Sequence, residues 1–272
     1  MSQRAYLSSK DIKREELGIL LQLDELCRTH GLRYSLCGGS LLGAIRHKGF
    51  IPWDDDIDVS MPRPDMDRLI NIWLKGGLPA GYSLEIMSGD SLRPVFVKLV
   101  NEKICLKERY AEGFNHLWVD IIPIDGMPAD EGGAARLEAR AARLRRLFLL
   151  SGADKNDGTT AFKKVFKKAA VPVMGALGSR RRLGRALDGL GRKIPFGSTG
   201  YAGCVTWGLY GAGERYKDDA FDRVVMVEFE GHEFPSIYCW DEYLTGIYGD
   251  YMQLPPEGER KTHELEVWWD QQ

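Results

Sequence analysis

The chain has 272 residues, 44% hydrophobic and 28% charged, with a formal net charge of -2. That length can carry a full apolar core, the composition excludes a disordered chain, and the charge argues against nucleic acid as a partner. Cys27, Cys37, Cys105, Cys204 and Cys239 are odd in number and contain no CxxC pair, which argues against a disulfide scaffold or a structural zinc site.

Residues 9–30 carry Leu17, Leu20, Leu21 and Cys27 at helical spacing beside Lys and Glu, with Gly31 as a natural stop; they predict an amphipathic helix. A short strand follows at 32–37, broken by Gly38-Gly39, then a short helix over 40–47, a loop over 48–55 and a strand at 57–59. Pro64-Asp65 opens a helix to about residue 75. The stretches 82–87, 95–100, 104–107 and 117–122 are rich in β-branched and aromatic residues and read as strands, with Asn101-Glu102 turning a hairpin. Helices rich in Ala, Leu, Arg and Lys occupy 134–194, broken at 152–158 and at Pro172. Strands return at 224–230 and 233–235 around a Gly231-His232 turn, and a last helix covers 240–248.

Charge is uneven along this order. Residues 134–193 hold 16 Lys/Arg against 4 Asp/Glu, so a segment of +12 sits in a body of -14. Within it, residues 144–150 and 162–177 are cationic and amphipathic, as suits a peripheral contact with an anionic leaflet or a solvated helical cap. The N-terminus has no apolar signal core, and no stretch approaches the ~18 apolar residues of a membrane span, so the expected location is cytoplasmic, peripheral at most to the inner face of the membrane.

The chemistry concentrates in residues 36–61, LCGGSLLGAIRHKGFIPWDDDIDVSM. Gly38, Gly39 and Ser40 end a strand and open a helix, where free N–H groups and small residues suit a phosphate. Arg46, His47 and Lys48 add positive charge, and Pro52 and Trp53 pin the approach to Asp54, Asp55, Asp56 and Asp58. On a strand, i and i+2 share a face, so Asp56 and Asp58 should converge while Ile57 and Val59 face the core. Converging carboxylates repel unless a cation lies between them, and hard oxygen donors suit Mg²⁺ or Mn²⁺.

The block GGSLLGAIRHKGFIPWDDDIDVSMPR resembles the LicD family, lipopolysaccharide- and teichoic-acid-type cholinephosphotransferases within the nucleotidyltransferase superfamily, and is similar to fukutin-type ribitol-phosphate transferases. WVDIIPID, VEFEGHEFP and DEYLTGIYGDYMQLPP look like later blocks of that family. The resemblance implies an α+β fold: one domain over 1–272 with a nucleotidyltransferase-like mixed β-sheet core flanked by helices and a basic helical insertion at about 131–197. It implies that Asp56, Asp58 and a third strand carboxylate, for which Asp120 is the candidate and Asp125 the second choice, ligate metal and serve catalysis, with Asp54 as a helper. It implies a CDP-choline or similar CDP-alcohol donor, a lipid-linked or cell-surface glycan acceptor and release of CMP.

Around these, Arg46, His47 and Lys98 are candidates for phosphate contacts, and Glu228 and Glu230, expected on one strand face, for donor or metal. A quaternary ammonium headgroup would want an aromatic cage, with Trp207, Tyr210, Trp240 and Tyr251 as candidate rings. His263 reads as a surface residue. Two other readings stay open: an antibiotic-modifying type of nucleotidyltransferase that releases pyrophosphate, and a non-enzymatic membrane-surface protein that uses the basic insert.

Overall fold

In a computed structural model, residues 6–87, 93–108, 116–151, 180–260 and 265–270 are described. The N-terminal helix α1 (Ser9–His30) begins with a reciprocal cap: the Asp11 N–H donates to Ser8 Oγ and the Ser8 N–H to the Asp11 carboxylate, while left-handed Gly31 ends it. A short strand, β1 (Ser35–Leu36), leads into α2 (Gly38–His47). Strand β2 (Asp58–Pro62) follows, then α3 (Arg63–Leu74), whose first turn carries a proline.

The middle of the chain forms β3 (Tyr82–Met87), β4 (Phe96–Glu108) and β5 (His116–Gly126). The hairpin expected at Asn101-Glu102 is absent. Residues on both sides of it belong to the single strand β4, whose pairing with β5 shifts between Asn101 and Cys105. Asn101 Oδ1 accepts the Lys103 N–H at 3.1 Å, so the asparagine makes a local bulge and not a reversal. Helices α4 (Glu131–Ser151) and α5 (Arg180–Gly191) pack on each other. Short strands β6 (Tyr201–Gly203) and β7 (Arg215–Lys217) follow, then the hairpin β8 (Val224–Phe229) and β9 (His232–Ile237). Its turn falls at Glu230-Gly231, both with positive φ, one residue earlier than expected. Helix α6 (Trp240–Tyr248) and strand β10 (Leu265–Trp269) complete the described chain.

The main sheet runs β1-β2-β5-β4-β10, with β3 beside β4 and β6 and β7 continuing from β5. Only β2 and β5 pair in parallel; the other described ladders are antiparallel. The fold is therefore α+β with a mixed sheet, as expected. Val59, Ile121 and Leu99 from β2, β5 and β4 enter one core with Ile19, Leu20 and Leu23 of α1. That fixes the opposite sheet face for polar residues. In one row across four strands the register aligns Asp58, Asp120, Lys98 and Glu85.

The basic insertion is described only in part. Helices α4 and α5 belong to it, while residues 162–177 lie outside the described residues, as does His263.

Candidate active site

Asp56, Asp58 and Asp120 line one cavity of about 310 Å³, with Gly38 and Gly39 at its edge. Asp58 and Asp120 arrive there as direct register partners on parallel strands. Asp56 arrives differently from the expectation. It precedes β2, which starts at Asp58, so strand alternation is not what turns it inward. The ladder continues past the strand start through the Asp120 N–H, which donates to the Ile57 carbonyl at 2.9 Å. Ile57 is fully buried and anchors the chain between the two carboxylates. Asp54 is near but lines the neighbouring cleft, and Asp55 lines neither.

Crowding of carboxylates disfavours the ionised form. Burial, then Asp58, Asp54 and Asp120, push the Asp56 carboxyl well above the usual range. Behind them sits Glu16 of α1, 1% exposed, also pushed well above its usual range by burial and then by Asp56, Asp55 and Asp54. Sequence reasoning missed Glu16. The available signal was its position on the stripe Ile12, Glu16, Ile19 and Leu23, all of which are buried. Lys13, one turn earlier, donates to the carbonyls of Ile51 and Pro52 and so ties α1 to the loop that carries the aspartates.

Asp120 is held on two sides. Lys98 Nζ lies 3.1 Å from its Oδ1, and the Trp118 indole N–H donates to Oδ2 at 3.2 Å. The same ammonium lies 3.3 Å from the Trp118 ring centroid. Lys98 therefore meets the acidic group directly.

The start of α2 is shaped by its glycines. Gly38 has φ +52, and its N–H donates to Tyr243 Oη at 3.2 Å. A Cβ on Gly39 would stand 2.7 Å from Asp54 Oδ2, so only glycine lets that carboxylate close in. Ser40 is buried and turned to the sheet, where its Oγ accepts the Asp58 N–H at 2.8 Å. Its contact is with the backbone of an aspartate.

Other candidates sit elsewhere. Arg46 donates to the Tyr251 carbonyl at 2.7 Å and lines a second cleft of about 440 Å³ with Trp53, Asp54 and Tyr251. His47 packs edge-on to Trp53, its imidazole lowered by burial and then by Arg46. The two cavities share Gly39 and Tyr248. Glu228 and Glu230 do not share a strand face toward the site, because the chain turns at Glu230. Glu228 is exposed, and Glu230 accepts the Phe50 N–H at 3.0 Å while its own N–H donates to the Lys48 carbonyl. Asp125 is 1% exposed and forms a two-pronged pair with Arg63 at 2.7 Å on each oxygen, beside Asp188. That makes it an interior counterion outside the cavity lining.

The remaining wall comes from residues 204–248. Trp207 and Tyr210 are there, as the sequence suggested, but Trp240 packs in the core and Tyr251 belongs to the second cleft. Tyr216, Tyr243, Tyr248 and Glu214 complete the wall; Tyr243 and Tyr248 stand in the block DEYLTGIYGDYMQLPP, while Glu214 and Tyr216 stand in no motif that singles them out.

The cavity's donor set suits a hard cation. Among the described residues no three Asp, Glu, His or Cys side chains already group as a metal cage. The raised Asp56 carboxyl marks the anionic crowding that a divalent ion beside Asp56 and Asp58 would relieve, while Asp120 is already engaged by Lys98.

Comparison with known proteins shows the family. Residues 31–128 match the family described as LicD/FKTN/FKRP, nucleotidyltransferase domain. Over 253 residues, 92% of this chain and 93% of the relative, the sequence is 32% identical to the lipopolysaccharide cholinephosphotransferase LicD of Haemophilus influenzae. The chain belongs to the LicD family. The ribitol 5-phosphate transferase FKRP of Homo sapiens is 39% identical over 93 residues, 34% of this chain and 17% of that protein. The chain is thus a LicD-type transferase, and the matched span 31–128 contains the acidic loop, β2 and β5.

Proposed function

We propose that the chain moves phosphocholine, or a related phospho-alcohol, from a CDP-activated donor to a hydroxyl of a cell-surface glycan, releasing CMP. The observation that carries this reading is the convergence of Asp56, Asp58 and Asp120 in one cavity at the start of α2. It is supported by the match to a lipopolysaccharide cholinephosphotransferase along nearly the whole chain.

The chain's own residues divide the work. The start of α2 turns backbone N–H groups and the positive end of the helix toward a phosphate. The donor then lies across both cavities, its headgroup and the phosphate that carries it in the smaller one and its nucleotide along the cleft beyond Gly39 and Tyr248. Asp120, held by Lys98 and Trp118, takes the proton of the attacking hydroxyl on its carboxylate. Asp56 and Asp58 would hold Mg²⁺ or Mn²⁺, which when bound neutralises phosphate charge. The test is product analysis with CDP-choline and with ATP. CMP released with the transfer of phosphocholine supports the reading, and pyrophosphate released from ATP without it rejects it in favour of nucleotidyl transfer.

We also propose that the enzyme works at the inner face of a membrane. No helix among the described residues is long and apolar enough to cross a membrane. The exposed faces of α4 and α5 carry Arg136, Arg140, Arg143, Arg181 and Arg182, with Leu147 and Leu149 exposed on α4. That combination suits anionic headgroups over a shallow apolar contact. Arg140→Glu with Arg143→Glu should weaken binding to anionic vesicles by about tenfold or more. Equal binding to neutral and anionic vesicles would remove the idea.

A further inference from the structure

We propose that Trp207, Tyr210, Tyr216 and Tyr248, with Glu214 as counterion, form a subsite that selects a quaternary ammonium headgroup over a polyol. This rests on the phospho-alcohol transfer reading above and narrows it. All five side chains line the same cavity as the three aspartates.

The aromatic rings are set at angles, not stacked on each other. Tyr210 and Tyr248 meet edge to face, with centroids 5.3 Å apart at 72°. Tyr216 meets Tyr243 in the same way at 5.9 Å and 85°. Rings set at angles can turn π-faces toward a shared space, as a cation without N–H donors requires. Tyr248 also fixes the distance to the phosphate end. Its hydroxyl and Asp58 Oδ2 approach the point where a Cβ on Gly38 would stand, at 3.9 and 3.6 Å. The aromatic wall therefore begins where the acidic floor ends, the spacing a short phospho-alcohol needs.

Glu214 supplies the charge. Its Oε2 accepts the Tyr210 N–H at 3.2 Å, which fixes the carboxyl beside that ring. Facing it are Arg145 and Glu138 from α4, the Cys204 thiol and the Tyr216 and Tyr243 phenols. Burial pushes its carboxyl up to about 7, so ionisation there is costly until a cation arrives. A polyol carries no charge to answer the Glu214 carboxylate or the ring faces, so it forgoes the attraction that an ammonium gains there.

The experiment measures binding of phosphocholine to the full chain beside its neutral isostere 3,3-dimethylbutyl phosphate, by titration calorimetry. Phosphocholine should bind roughly tenfold tighter. Glu214→Gln should bring the two ligands close together, and Tyr210→Phe should keep the preference. Tyr210→Ala and Tyr248→Ala should each weaken phosphocholine roughly 3- to 30-fold. Circular dichroism and thermal melting confirm that each variant is folded. Equal binding of the two ligands by the unaltered chain, no saturable phosphocholine binding, or a preference that survives folded Glu214→Gln overturns the proposal. CMP release is scored separately on the unaltered chain. Turnover without a cationic preference rejects the cage and keeps the transferase reading, and a cationic preference without turnover does the reverse.

Discussion

Asp58 of β2 and Asp120 of β5 are register partners where those two strands of the main sheet pair in parallel. Direct neighbours on one sheet face bring like charges close, which is destabilising unless something offsets it. Lys98, the register partner of Asp120 on β4, offsets part of it, and the remainder falls on Asp56.

Asp56→Asn should therefore separate stability from activity. In metal-free buffer it should raise the melting temperature by about 2–4 °C, the effect of roughly 1 kcal/mol in a chain of this size. It should also lower turnover by a factor of roughly a thousand and remove any stabilisation by Mg²⁺. Paired melting curves with and without Mg²⁺, run beside a CMP-release assay, check all three.

Asp125 should behave in the opposite way. Removing it leaves the Arg63 guanidinium buried without its two-pronged partner. Asp125→Ala should cost about 3–5 kcal/mol, the scale for breaking a buried ion pair. The loss should appear in urea unfolding, and soluble variant that remains folded should retain the wild-type KM.

Glu230 holds the loop before the aspartates through Phe50 and Lys48. Glu230→Ala should cost about 1–2 kcal/mol and lower kcat, while Glu230→Gln, which keeps an acceptor oxygen, should restore most of both. Gly49→Ala should resemble Glu230→Ala, because the new methyl would strike the Glu230 carboxylate. Melting and steady-state kinetics on the three variants test the set.

Glu214 gives a pH signature. Its ordinary value of 4.5 is raised to about 7 in the folded chain. Its stabilising contribution is complete below about 4.5 and is lost as pH rises through about 7, since the unfolded chain ionises first. Glu214→Gln should flatten that part of the stability profile. At pH 8 it should gain on the order of 2–3 kcal/mol over the unaltered chain. Urea unfolding from pH 4.5 to 8 measures it, and parallel curves for both proteins would refute it.

Local signals were legible in the sequence where they acted alone. Apolar spacing and a stop glycine bounded α1, and a short run with aromatic Tyr82 and β-branched Ile86 marked β3. The Asn101 bulge was not legible, because a residue that suits a turn also suits a kink, and only the pairing with β5 and β10 decides. The acidic loop stood out as a motif. Glu214 and Tyr216 did not, and the block holding Tyr243 and Tyr248 gave those rings no role, since their meeting depends on how the second half of the chain docks on the first. Glu230 was misread for a related reason: its positive φ turns it off the strand, and nothing in its residue type predicts that.

The hydrogen bond from the Gly38 N–H to Tyr243 Oη joins chain segments made far apart in time. Roughly 120 residues separate Asp120 from Tyr243, on the order of 6–25 s of synthesis at typical ribosomal speed. Through that interval the nascent acidic floor is complete but unroofed. The newborn transferase should remain silent until helix α6 leaves the exit tunnel.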